Sequence, residues 1–145
     1  MKKHLLIHGD ALSGKTFIVK GLLEAMTFRR VDCRCSDILS ENFLWTYGQV
    51  EQDVLYFDDV NTHIDPRDFI PYTESIKVDR QGYETFYIKP ALIIEYSNEI
   101  EIPEEHSFIR RFHVINTNTI TYKELIATIV SWNKSVLNGE IQINE

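Results

Sequence analysis

Eight residues near the start of this sequence, Gly9-Asp10-Ala11-Leu12-Ser13-Gly14-Lys15-Thr16, constrain its fold more than any others. They fit G-x-x-x-x-G-K-[ST], in which main-chain N–H groups cradle phosphates, the lysine reaches the β and γ phosphates, and the hydroxyl ligates Mg²⁺. Such a loop works between a strand and a helix. Leu5-Leu6-Ile7 supplies an apolar run before it, and from Lys15 onward Val19, Leu22, Leu23 and Met26 recur at helical spacing. Strand, glycine loop and helix are therefore expected, with ATP and Mg²⁺ as ligands.

The rest of the chain alternates in the same way. Val31 to Cys35 is expected as a second strand, and Ser36 as the cap of a helix carrying Ile38, Leu39 and Phe43 up to Gly48. Val54-Leu55-Tyr56-Phe57 is continuously apolar, the pattern of a strand buried on both faces of a parallel sheet. Asp65-Pro66 opens a short helix that Pro71 limits. Ile76, Val78, Phe86 and Ile88 alternate with polar residues around Gly82 and read as an antiparallel hairpin. Ala91 to Tyr96 and Phe112 to Ile115 give two more core strands. Thr121 and Glu124 form a capping box before a helix with Tyr122, Leu125, Ile126 and Ile129 facing inward. The expectation is a single domain over residues 1–145, an α/β fold of three layers with a mostly parallel sheet and the hairpin inserted in it.

Composition narrows the partners. With 145 residues and 43% apolar content, one core is within reach. A net charge of −7 makes the surface as a whole repel polyanions, so any nucleic-acid contact must be local. Cys33 and Cys35 lack the further cysteines of a zinc cluster and read as reduced thiols. The start is too short in apolar residues for a signal peptide or a membrane span, which leads to a cytoplasmic expectation.

Asp58 and Asp59 follow the Val54 to Phe57 run, where a triphosphate site needs one carboxylate for the magnesium shell and a second to orient and deprotonate water. Asp58 is assigned the metal and Asp59 the water. Ser97-Asn98 ends the next buried strand, so the Asn98 amide is a candidate to orient that water, although an asparagine there also serves as a turn former. Arg110-Arg111 precede the last strand, and an arginine delivered to a neighbouring subunit's γ-phosphate would stabilise transition-state charge; the alternative is a pair of surface or salt-bridged arginines.

These elements in this order resemble the superfamily 3 helicases, the AAA+ motors of small DNA viruses and related plasmids, with the parvovirus and circovirus Rep proteins most alike. The likeness spans about residues 4 to 116, through Gly9 to Thr16, Phe57-Asp58-Asp59, Ile76 to Gly82, Ser97-Asn98 and Ile109-Arg110-Arg111-Phe112. It implies a P-loop ATPase that assembles into a homo-oligomeric, hexameric ring, with ATP at subunit junctions and Arg111 preferred over Arg110 as the residue reaching across. It also implies a hairpin that grips single-stranded nucleic acid, with Lys77 and Arg80 on phosphates and Gln81 and Tyr83 beside them at the tip, where the family usually carries lysine. The chain begins one strand before the P-loop, so the expectation is either that a separate targeting or replication protein supplies origin recognition and ring assembly, or that this is a motor core put to another use. Glu95 falls inside a strand where the family is apolar or hydroxylated, a costly burial without a partner.

Two other functions fit the same residues. A P-loop ATPase switch or assembly factor that does not travel on DNA is favoured by the acidic surface and the lysine-free tip. A small-molecule kinase would share the loop and the fold, but no arginine-rich lid is present in the sequence.

Overall fold

The computed structural model describes residues 2–10, 14–26, 30–33, 54–78, 82, 84 and 86–138. Its centre is a five-stranded sheet of β1 (His4–His8), β2 (Arg30–Cys33), β3 (Val54–Val60), β6 (Ala91–Tyr96) and β7 (Phe112–Asn116) in the order β2-β3-β6-β1-β7. Every pairing in it is parallel, with Leu5 opposite Ile93 and His113, and Leu55 opposite Val31 and Leu92. An all-parallel sheet is buried on both faces, and this is why β1, β3 and β6 read as unbroken apolar runs.

Alternate side chains of those strands feed two cores. On one face Leu6, Leu55, Phe57, Leu92 and Ile94 meet Phe69 and Phe108. Phe69 lies on a 3₁₀ segment (Pro66–Thr73), and Phe108 on the four-residue α2 (His106–Ile109). The hairpin of β4 (Ile76–Val78) and β5 (Phe86–Ile88) joins this face through Ile76 and Ile88. On the other face Leu5, Ile7, Tyr56 and Ile93 meet Val19 and Leu23 of α1 (Lys15–Ala25) and Leu125, Ile129 and Trp132 of α3 (Tyr122–Trp132). Trp132 is fully buried, and its indole N–H is met by the Lys3 carbonyl at 3.1 Å. Truncating such a side chain to alanine costs about 3–5 kcal/mol.

Local chemistry explains where the elements begin. Asp65 caps the 3₁₀ segment by accepting from Arg67 N at 2.9 Å, with Pro66 in the first position. Arg67 also grips Glu105 through two bonds of 2.7 Å, tying the segment to the approach of α2. Thr121 caps α3 by accepting from Glu124 N at 3.2 Å. His4, buried in β1, is held neutral: Leu92 N donates to its Nδ1 at 3.0 Å, and burial lowers its pKa to about 4.

Several expectations need correction. Asp58 and Asp59 do not follow β3 but belong to it, since the strand runs on to Val60. Tyr122 and Ile126 do not face inward: they are 49% and 40% exposed, and Trp132 fills the position next to the sheet that they were expected to share. The reason is geometric: the helix buries one stripe, here Leu125, Ile129 and Trp132, Ile126 falls about 100° round from Leu125 on its flank, and Tyr122, though in line with the stripe, is the first residue of the helix and sits at its exposed end. The second strand is described to Cys33, and the helix expected from Ser36 to Gly48 lies outside the described residues. No helix among the described residues is long and apolar enough to cross a membrane.

Candidate functional site

The sheet reverses direction of travel beside β1. From β1 the chain leaves through α1 toward β2, whereas from β6 it crosses to the opposite side of β1 to form β7. In open parallel sheets a crevice forms outside the C-terminal strand ends at such a point. At that edge lie Gly9 after β1, Asp58 and Asp59 of β3, and Ser97 after β6.

The loop after β1 is stitched to the turn after β7. Thr117 N donates to the His8 carbonyl at 2.8 Å, and Asp10 N donates to Asn118 Oδ1 at 2.8 Å. The approach is so close that a Cβ on Gly9 would lie 2.0 Å from Thr117 Oγ1. Glu99, just beyond β6, holds the same turn by accepting from Asn116 and Asn118, each at 3.2 Å. Ala11, Leu12 and Ser13 lie outside the described residues. Gly14 then enters α1 with φ +75°, and the helix start has neither a side-chain cap nor an acidic residue in its first turn. A helix start of this kind suits an anion through its leading N–H groups and the positive end of the helix dipole.

The Lys15 ammonium donates to the main-chain carbonyls of Thr117 and Ile120 and lies 5.6 Å from the centre of the Tyr122 ring. It is therefore turned toward the β7–α3 connection. Thr16 instead lines a cleft of about 320 Å³ together with Lys20, Asp58, Asp59, Glu95, Tyr96 and Ser97. Lys20 stands one helical turn beyond Thr16, on the same face of α1.

Neighbouring strand residues ordinarily point to opposite faces, yet Asp58 and Asp59 both line this cleft. The pairing of β3 with β6 shifts between Phe57 and Val60, and Asp59 takes a left-handed backbone with φ 53°. Aspartate tolerates that region better than most residues, and a side chain is re-aimed by the irregularity. Asp58 Oδ2 is 2.9 Å from Lys20 Nζ, and this bond raises the Lys20 pKa. Ser97 N and Oγ both donate to the Val60 carbonyl, at 3.0 and 3.1 Å, pinning the ends of β3 and β6 together.

Glu95 is 2% exposed. Its Oε2 accepts from the Tyr56 hydroxyl at 2.5 Å, and Oε1 has no hydrogen-bond partner. Burial pushes its carboxyl up to about 7, against the pull of the Tyr56 bond, and the nearby Asp58 adds to the rise.

Other anticipated residues lie elsewhere. Asn98 is exposed beyond β6, and it is Ser97 that borders the cleft. Arg111 sits at the start of β7, beside the start of β1, where His4 N donates to its carbonyl at 3.4 Å. That is the opposite edge of the sheet from Asp58 and Asp59. Its side chain donates to Glu74 at 2.8 Å, Ser107 O at 2.8 Å and Thr73 Oγ1 at 3.4 Å, whereas Arg110 is exposed. Lys77 is exposed on β4; Arg80, Gln81 and Tyr83 lie outside the described residues. Lys20 was missed by motif reading, although its i+4 spacing from Thr16 was visible. Tyr87 was missed too: it is 63% exposed and directly opposite Lys77 across the hairpin.

No family model matches this chain, and no curated protein does. Among solved structures the chain is similar to the apo A form of the NrS-1 C-terminal region, at 17% identity and a TM-score of 0.44. The likeness covers 97% of this chain and 37% of that one.

The donor set of the cleft, a hydroxyl and paired carboxylates, is hard oxygen and suits Mg²⁺. Among the described residues no group of three His, Cys, Asp or Glu side chains forms a metal cage. Magnesium fits under that condition, because it is usually held by one or two carboxylates together with substrate phosphates.

Proposed function

We propose that this chain is a P-loop ATPase that binds ATP with Mg²⁺ at the C-terminal edge of its sheet, hydrolyses it, and works as an oligomeric motor on single-stranded nucleic acid. The observation that carries the reading is the convergence of Thr16, in the first turn of α1, with Asp58 and Asp59 in one cleft beside the strand crossing. In this reading the loop from Gly9 to Thr16 would take the phosphates. Thr16 and Asp58 would hold the cation, which neutralises developing charge on the transferred phosphoryl group.

Each side chain then has a task. Lys15 exchanges the carbonyls of Thr117 and Ile120 for phosphate oxygens. Asp59 orients the attacking water and accepts its proton. Asn98, exposed just beyond Ser97 at the end of β6, would help to orient that water. An arginine from a neighbouring copy reaches the γ-phosphate; Arg110 is the better placed of the two, because its side chain is exposed. Lys77 and Tyr87 pair a cation with an aromatic face on the outer side of the hairpin, the combination that tracks a single strand.

A second reading, a switch or assembly factor that hydrolyses ATP without travelling on nucleic acid, draws on the net charge of −7. One set of measurements tests both. Lys15→Ala should abolish tight binding of a fluorescent ATP analogue, and Asp59→Asn should retain binding while phosphate release stops. Stimulation of phosphate release by single-stranded oligonucleotide supports the motor, and its absence in an assembled ring supports the switch. Unchanged analogue binding by Lys15→Ala would defeat the site itself.

A further inference from the structure

The cleft contains more negative charge than a magnesium site needs. Asp58, Asp59 and Glu95 all line it, and Lys20 is the ammonium among them. The Lys20 side chain is 44% exposed and reaches Asp58 from α1, so its head can swing within the cleft while its helix stays fixed. Glu95 comes from β6, is nine-tenths buried and more, and keeps Oε1 unmet by any hydrogen bond. An acceptor left unmet in a buried position is costly, so any state of the site that supplies it with a donor gains in stability.

A divalent cation on Asp58 and the Lys20 ammonium compete for the same carboxylate, and as like charges they repel one another at close range. Lys20 must then leave. Asp59 is exposed and already hydrated, so moving there gains little. Glu95 lines the same cleft, and its buried Oε1 has no hydrogen bond to lose.

We propose that Lys20 is a movable counter-ion, seated on Asp58 before the divalent cation arrives and on Glu95 Oε1 afterwards, which makes Glu95 a positioning residue for the cation site. The inference rests on the reading of Asp58 as a cation ligand. It accounts for the buried carboxylate in β6: the group receives the charge that the cation displaces.

Mn²⁺ titration of the nucleotide-free chain, followed by water-proton relaxation, tests it. Lys20→Met should tighten Mn²⁺ binding by about fivefold, the size of a half-exposed ion pair removed as competitor. Glu95→Gln should weaken binding by about fivefold when Lys20 is present and by less than about twofold when Lys20 is methionine. Glu95→Met, of similar volume, replaces the glutamine variant should that one not fold. Equal weakening in both backgrounds would mean that Glu95 acts through its own charge or as a ligand, and would overturn the relay while leaving the cation site in place. Mn²⁺ binding that Asp58→Asn leaves unchanged overturns the relay and the cation reading together.

Discussion

The Tyr56 hydroxyl donates to Glu95 Oε2 at 2.5 Å, joining β3 to β6 by side chains where the main chain already pairs them. This bond favours the ionised carboxylate, yet burial outweighs it and lifts the Glu95 pKa to about 7 from an ordinary 4.5. Between those values the folded chain holds a proton that the unfolded chain has released. Stability from this group is complete below about pH 4.5 and is lost as pH rises through about 7. His4 does the reverse. Its pKa falls from 6.5 to about 4, so the unfolded chain holds the extra proton in between, and stability climbs with pH over that window.

The two slopes oppose each other across most of the same range. Glu95→Gln removes one of them. Urea unfolding should find the wild-type chain gaining stability with pH less steeply than the variant between about pH 4.5 and 6.5, since burial also lowers the His8 and His113 pKa values and adds to the upward slope of both. Above pH 7 the variant should exceed the wild type by up to about 3 kcal/mol, the size of the Glu95 shift. Superimposable pH profiles would show that Glu95 titrates normally. Lys20, Asp58 and Asp59 face Glu95 in the cleft and bear on its charge, so the comparison is made without divalent cations.

Gly9 and Gly82 separate steric overlap from backbone strain. Both have positive φ, +143° and +86°, but only at Gly9 would a Cβ meet other atoms: Thr117 Oγ1 at 2.0 Å and Thr117 N at 3.1 Å. Gly82→Ala should therefore cost only the strain of its backbone, about 1–2 kcal/mol. Gly9→Ala adds a 2.0 Å overlap with the Thr117 hydroxyl, and because Thr117 Cβ and N also stand at 3.1 Å, turning that side chain aside does not clear the space, so the change should cost more than about 3 kcal/mol in urea unfolding. Equal costs would show that the β7–α3 turn yields freely.

Much of this site was legible in the residues, and the reasons differ by residue. β1, β3 and β6 were readable because burial on both faces leaves an unbroken apolar run. The glycines of the Gly9 to Thr16 motif were readable because they answer a backbone need that few other residues meet: Gly9 passes Thr117 too closely for a side chain, and Gly14 turns left-handed into α1. Tyr122 and Ile126 misled because helical spacing gives a stripe but not its edge. The direction of Lys15 was illegible for another reason: its partners are main-chain carbonyls about a hundred residues away, which leave no mark on side-chain identity. Glu95 stood out as an anomaly, but its meaning needed Tyr56 and Lys20, brought to it by the parallel order of β3, β6 and β1.

Tyr87 gives a test on the hairpin. It lies across from Lys77 with 63% of its surface exposed, while Ile76 and Ile88 face the core. A base stacked on an aromatic ring is worth about 1–3 kcal/mol, so Tyr87→Ala should weaken single-stranded oligonucleotide binding at least about fivefold. Lys77→Ala should instead flatten the salt dependence, lowering the log–log slope by roughly 0.7 for one lost phosphate contact. Fluorescence anisotropy at several salt concentrations measures both. Unaltered affinity and slope in the double variant would remove the hairpin from nucleic-acid contact.

Arg110 and Arg111 divide stability from turnover. Arg111 is held by Glu74, Ser107 and Thr73, so it ties the approach to β7 onto the 3₁₀ segment within one chain. Its side chain is mostly buried and Glu74 mostly exposed, so Arg111→Ala should cost about 1–2 kcal/mol of folding stability through lost bonds to the carbonyl and hydroxyl as much as through the ion pair. Arg110 is exposed and should cost less than about 0.5 kcal/mol on replacement by alanine. Both arginines lie at the far edge of the sheet from Asp58 and Asp59, so neither serves its own chain's cleft, and any part in turnover must be played on a neighbour. Arg110→Ala should therefore stop phosphate release only through the assembled oligomer. Mixing inactive Arg110→Ala chains with inactive Asp59→Asn chains should restore part of the activity, because some junctions then pair an intact arginine with an intact cleft. Rescue with Arg111→Ala in place of Arg110→Ala would assign the reaching role to Arg111 and require its bonds to Glu74 and Thr73 to break on assembly. No rescue with either arginine, in a mixed assembly verified by mass, would mean that charge on the γ-phosphate is met from within the chain.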